Sequence, residues 1–118
     1  MGLFSKKKAK DEEKAVSDLK IDISKNGEEL TVRLKGRLDT ITSPDLEERL
    51  NEEMTGIKNL IFDLEKLNYI SSAGLRVLLG ASQEIEAVEG EMLIRNVAEP
   101  VRVVFDLTGF DTAFNIEE

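Results

Sequence analysis

Residues 60–79 read LIFDLEKLNYISSAGLRVLL, and a change of rhythm within them decides the fold. Leu60-Ile61-Phe62-Asp63-Leu64 is short, apolar and β-prone, which predicts a central strand covered on both faces. Leu67 to Ser71 reads as a connection. From Ser72 to about Val88 the spacing becomes helical. Leu75, Leu78, Leu79, Ser82 and Ile85 trace one face, widened by Val77, Ala81 and Val88, so this helix is wedged against a sheet and something else. Gly90 ends it.

The alternation of strand and helix continues downstream. Met92-Leu93-Ile94 predicts another buried strand, closing at Arg95-Asn96. Pro100 opens a third helix carrying Val101, Val104, Phe105 and Leu107, stopped near Gly109. Phe110 and Phe114 cover its end, and Phe114-Asn115-Ile116 predicts a short last strand. Upstream, Leu19, Ile21 and Ile23 alternate with polar residues, as do Leu30, Val32 and Leu34. Asn26-Gly27 between them is a strong hairpin signal. Thr42-Ser43-Pro44 then starts a helix, with Ser43 as its cap, Pro44 at the first helical position and Gly56 as its stop. Leu46, Leu50 and Met54 form its apolar stripe. The order is β-β-α-β-α-β-α. Right-handed crossovers then give an α/β two-layer domain, a mixed sheet opening with an antiparallel hairpin and helices packed mainly on one side.

At 118 residues the chain has the size of one domain. Its 24 acidic and 16 basic side chains leave a formal net charge of −8, which argues against direct nucleic-acid binding. There is no Cys and no His. Disulfides, thiol nucleophiles, the usual proton shuttle at neutral pH and the commonest zinc ligand are thereby excluded. No catalytic residue, metal site or cofactor is expected, and a cytoplasmic location is. The positive charge gathers at the start: residues 1–14 hold five Lys against three acids. Residues 1–16 read as a flexible charged leader and residues 17–118 as the domain. The leader has two readings. It is a solvated tail, or Lys6, Lys7 and Lys8, with Leu3 and Phe4, make a weak membrane contact at about 1 kcal/mol per lysine; Asp11, Glu12 and Glu13 weigh against the second.

Chemistry gathers at Asn68-Tyr69-Ile70-Ser71-Ser72-Ala73-Gly74-Leu75, where a strand hands over to a helix start. Read structurally, Ser71 or Ser72 caps the helix. Read functionally, one of them accepts a phosphate. A serine hydrolase has no support, since there is no Gly-x-Ser-x-Gly elbow and no His. Gly36-Arg37-Leu38-Asp39-Thr40 is a second cluster, either a turn or, beside Ser72, an acid that repels phosphate.

With these blocks in order, the chain resembles the STAS domain of bacterial anti-sigma factor antagonists. The resemblance runs from about Leu19 to Ile116. It is carried by residues 34–39, residues 60–64, Tyr69 through Leu79 (the most specific block) and Phe105-Asp106-Leu107-Thr108-Gly109-Phe110. It implies a non-enzymatic protein that binds, when unphosphorylated, an anti-sigma factor that is also a serine kinase. Phosphorylation of a serine at the start of the second helix releases it, and a serine phosphatase resets it. Aligning Gly74-Leu75 on the family's Asp-Ser-Ser/Thr-Gly-Leu motif places the acceptor at Ser72. Ser71 then stands where the motif has Asp, which makes it the rival acceptor, and Ala73 replaces the second hydroxyl. The implied docking face comprises Asp39, Thr40, Ser71, Ser72, Gly74 and Arg76. The alternatives are a constitutive scaffold of the same fold or a small-ligand or nucleotide-binding module without phosphorylation.

Overall fold

The computed structural model describes residues 18–117. The leader and its lysines Lys6, Lys7 and Lys8 lie outside the described residues. The elements run β1 (Leu19–Asn26), β2 (Glu29–Leu38), α1 (Ser43–Glu53), β3 (Asn59–Ile70), α2 (Ser72–Ala87), β4 (Glu91–Arg95) and α3 (Glu99–Thr108). The sheet order is β1-β2-β3-β4, with β1 antiparallel to β2 and the other neighbours parallel.

The hairpin register pairs Ile21 with Leu34 and Ile23 with Val32, so the apolar alternations of both strands share one face. This places the two-residue turn at Gly27-Glu28, one position beyond the Asn26-Gly27 pair that signals it. At the far end of the hairpin, Gly36 has φ +107, and a Cβ there would run into the Asp18 carbonyl.

Three features differ from the sequence expectations. First, β3 is covered on one face, not both. Leu60, Phe62 and Leu64 are fully buried, whereas Ile61 and Asp63 are only half-buried on the opposite face. That open face carries a row of side chains in cross-strand register: Asp22, Arg33, Asp63 and Arg95. The signs alternate along the row, which avoids like charges on neighbouring strands. Arg95 ends it in an ion pair with Glu117 at 3.2 Å. Second, β3 does not stop at Leu64 but continues through the expected connection to Ile70. Its pairing with β2 shifts register twice, between Arg33 and Lys35 and between Gly36 and Arg37. The buried residues after Leu64 are therefore Leu67 and Ile70, spaced by three, and strict alternation misses them. Third, Leu107 is 81% exposed, because two residues past Phe105 it falls on the helix face opposite the buried Val101–Phe105 stripe.

Phe114 packs its ring against Phe105 and Phe110, with centroids 5.7 and 5.6 Å apart. The expected last strand is a single parallel bridge between Ile94 and Ile116.

The junction of β3 and α2 is seated on a small contact. Gly74, in the first turn of α2, approaches so closely that a Cβ would lie 2.8 Å from Leu38 Cγ and 2.9 Å from Ile70 Cγ1. Leu38 Cγ is a branch point and Ile70 Cγ1 a methylene next to one, both on buried core side chains and neither a free end. Gly80, in the same helix, has nothing within 4 Å of the equivalent position. The same substitution should then have opposite signs. Gly80→Ala should stabilise by up to about 1 kcal/mol through helix propensity. Gly74→Ala should destabilise by up to about 2 kcal/mol, because overpacking of about 1–3 kcal/mol exceeds that gain. Urea denaturation of the two variants measures both.

Candidate functional site

The carboxyl ends of parallel strands β2 and β3 lie side by side, with Leu38 paired to Ile70. The chain leaving each strand leads into a helix, so both loops emerge at the same end of the sheet. The Ser71 N–H donates to the Leu38 carbonyl at 2.9 Å and ties the two loops together.

The two serines are not equivalent. Ser71 is the N-cap of α2, with φ −103 and ψ 178. Its Oγ accepts from the Gly74 N–H at 3.4 Å and its carbonyl accepts from Leu75 N–H at 3.0 Å. It is half-buried and serves the fold. Ser72 is the first helical residue, is exposed, and its hydroxyl makes no hydrogen bond among the described residues. Gly74 is buried, while Arg76, one turn on, is exposed.

The Asp39 loop is built around its acid. Asp39 Oδ1 accepts from the N–H groups of Ile41 and Thr42, each at 3.0 Å, and lies 3.2 Å from Thr42 Oγ1. Thr42 Oγ1 donates to the Arg37 carbonyl at 2.9 Å and accepts from the Asp39 N–H at 2.9 Å. The other carboxylate oxygen, Oδ2, is 3.6 Å from Arg37 Nε. Arg37 in turn lies over the Tyr69 ring, 4.2 Å from its centroid. The backbone hydrogen bond from Thr42, with help from the Thr42 hydroxyl, Ile41 N–H and the Arg37 charge, holds the Asp39 carboxyl below the usual carboxylate range against the opposing effect of burial. The charge of Asp39 thus faces inward to its own loop, and Thr40 and Ile41 are presented outward, Ile41 with 72% of its surface exposed.

This network replaces the expected Ser43 cap. Thr42 already has helical backbone angles, and Ser43 lies inside α1, 3% exposed, making no cap hydrogen bond. Ser43 N–H donates instead to the Asp39 carbonyl at 2.8 Å. The Asp-x-x-Thr spacing of Asp39 and Thr42 was the available signal for this closure. The Arg37–Tyr69 stack had none, since it depends on the shifted β2–β3 register.

Between the starts of α1 and α2 lies a shallow cleft of about 260 Å³, lined by Thr40, Ser43, Pro44, Glu47, Ala73, Arg76 and Val77. Among the described residues, no group of three or more acids is placed to hold a metal ion, and no helix is long and apolar enough to cross a membrane.

Comparison with known proteins agrees with this architecture. The family model of the STAS domain matches residues 20–118. A Bordetella bronchiseptica protein, BtrV, assigned as an anti-sigma factor antagonist, is 32% identical over 99 residues, covering 83% of this chain and 85% of its own. Solved structures of SpoIIAA superpose with the same fold. The unphosphorylated form gives a TM-score of 0.73 at 24% identity, covering 84% of this chain and 89% of that one. The phosphorylated Bacillus form gives 0.66 at 22%, covering 84% and 92%. The chain belongs to the STAS domain family of anti-sigma factor antagonists, which are regulators and not enzymes.

The Asp39 network has a pH signature. Its folded-state pKa is depressed, so its contribution to stability is present above the unfolded value of 3.8 and is lost as pH falls through the folded value. Asp39→Asn should be less stable than wild type at pH 7. That gap should close progressively below about pH 4, as measured by chemical denaturation at several pH values.

Proposed function

We propose that this STAS domain is a cytoplasmic anti-sigma factor antagonist that binds an anti-sigma factor with serine kinase activity and is released when that kinase phosphorylates Ser72. A serine phosphatase returns it to the binding form. The observation that carries this reading is the division between the two hydroxyls. Ser71 is spent on the helix cap, whereas Ser72 is exposed and uncommitted at the meeting point of the β2 and β3 loops. Further support comes from the fold neighbour SpoIIAA, which exists in unphosphorylated and phosphorylated forms. Thr40 and Arg76, both exposed, complete the docking face around it, and Asp39, Ser71 and the buried Gly74 set the frame that presents it.

Phosphoryl transfer forms a bond from Ser72 Oγ to phosphorus and breaks the bond between the β and γ phosphates of the kinase's nucleoside triphosphate. The nucleoside diphosphate leaves, and the hydroxyl proton passes to a base of the kinase. The added group carries about −1.5 to −2 charges. Placing such a charge against a partner surface that offers it no matching cation costs about 2–5 kcal/mol, or about 30- to several-thousand-fold in affinity.

The test uses the kinase captured on the wild-type chain and then purified. Ser72→Ala should bind it like wild type and gain no phosphoryl mass with nucleoside triphosphate. Ser72→Asp should bind at least about 30-fold more weakly. A Ser72→Asp variant that binds like wild type, or a Ser72→Ala variant that is still modified, overturns the assignment.

A further inference from the structure

We propose that Arg76 receives the phosphate of phosphorylated Ser72 in an ion pair within α2, and that the phosphate thereby draws the arginine out of the cleft between α1 and α2. The inference rests on the reading of Ser72 as acceptor and adds what the modified state does with its new charge.

Spacing carries the argument. Ser72 and Arg76 are four residues apart in an uninterrupted helix of 16 residues, and both are exposed. Side chains at i and i+4 are neighbours on a helix surface, and the order acid first, base second is the favourable one. Arg76 is also available. Among the described residues it has no ion pair, although the domain is strongly acidic. The acids that share its clefts are Glu47 from α1 and Glu84 from its own helix, and neither reaches it within 4.0 Å. A phosphate carries more charge than either carboxylate and offers three acceptor oxygens to the planar guanidinium.

The spacing also separates the two serines. Four residues beyond Ser71 stands Leu75, which is buried, so a phosphate on Ser71 would find no cation at the corresponding place. Ser71 Oγ is moreover the acceptor of the Gly74 N–H. Only Ser72 has both a free hydroxyl and an arginine one turn away.

The consequence reaches beyond simple repulsion. In the unmodified chain Arg76 supplies the positive charge of the cleft that Glu47 also lines. Once paired with the phosphate, it is withdrawn from that surface. The docking face then changes in two places, gaining an anion at Ser72 and losing a cation beside Glu47.

The test installs phosphoserine at position 72 during translation of the full chain, with Arg76 retained or replaced by Arg76→Gln. The readout is the second ionisation of the phosphoserine, followed by phosphorus NMR against pH. An ion pair favours the dianion, so the midpoint, ordinarily about 6, should lie at least roughly 0.2 units lower with Arg76 than with Arg76→Gln. The difference should shrink as salt is raised, and Arg76→Lys should restore part of it. Identical titrations of the Arg76 and Arg76→Gln chains overturn the inference. Because no kinase is involved, that result leaves the acceptor assignment standing. Conversely, a chain whose Ser72 no kinase modifies fails the functional reading, while the titration still reports on the ion pair.

Discussion

The seam between β2 and β3 is the constraint on which the rest of the structure depends. Two parallel strands end together at Leu38 and Ile70, and the Ser71 N–H closes on the Leu38 carbonyl. Gly74 then lets the first turn of α2 settle directly onto Leu38 and Ile70. Without that close approach the helix would stand off the sheet. The Ser71–Ser72 step would move away from the Asp39 loop, and the two halves of the site would no longer share a surface.

Around this seam the polar groups fall into two populations. Asp39, Thr42 and Ser71 spend their hydrogen-bonding capacity on backbone groups of their own loops. They fix where the loops go and have little left to offer a partner. Thr40, Ile41, Ser72 and Arg76 are held outward by that framework. Their own contacts add little to the fold, so they can be altered without disturbing it. A rigid inner set that presents an uncommitted outer set lowers the ordering cost of docking.

Much of this arrangement was legible in the sequence. The element order followed from the two hydrophobic periods, and the family-like block around Gly74-Leu75 marked the junction where β3 hands over to α2. What stayed hidden has physical reasons. The end of β3 changes its buried spacing from two to three because of the register shifts, so Leu67 and Ile70 look like a loop. Ser43-Pro44 has the composition of a helix start, yet Asp39 and Thr42 close the turn first and carry Ser43 inside. The one-sided cover of β3 was obscured by the apolar Ile61, half-buried beside Asp63 on the open face. The stacking of Arg37 on Tyr69 depends on three-dimensional register, which residue order alone does not specify.

The split between a structural Ser71 and an idle Ser72 has a consequence for durability. A group attached to an atom that bonds to nothing in the fold leaves every internal bond where it was. Under the proposed switch, attachment and removal would therefore alternate with no unfolding step between them. The molecule would keep its record as chemistry written on the outside, and its shape would carry no memory of earlier rounds.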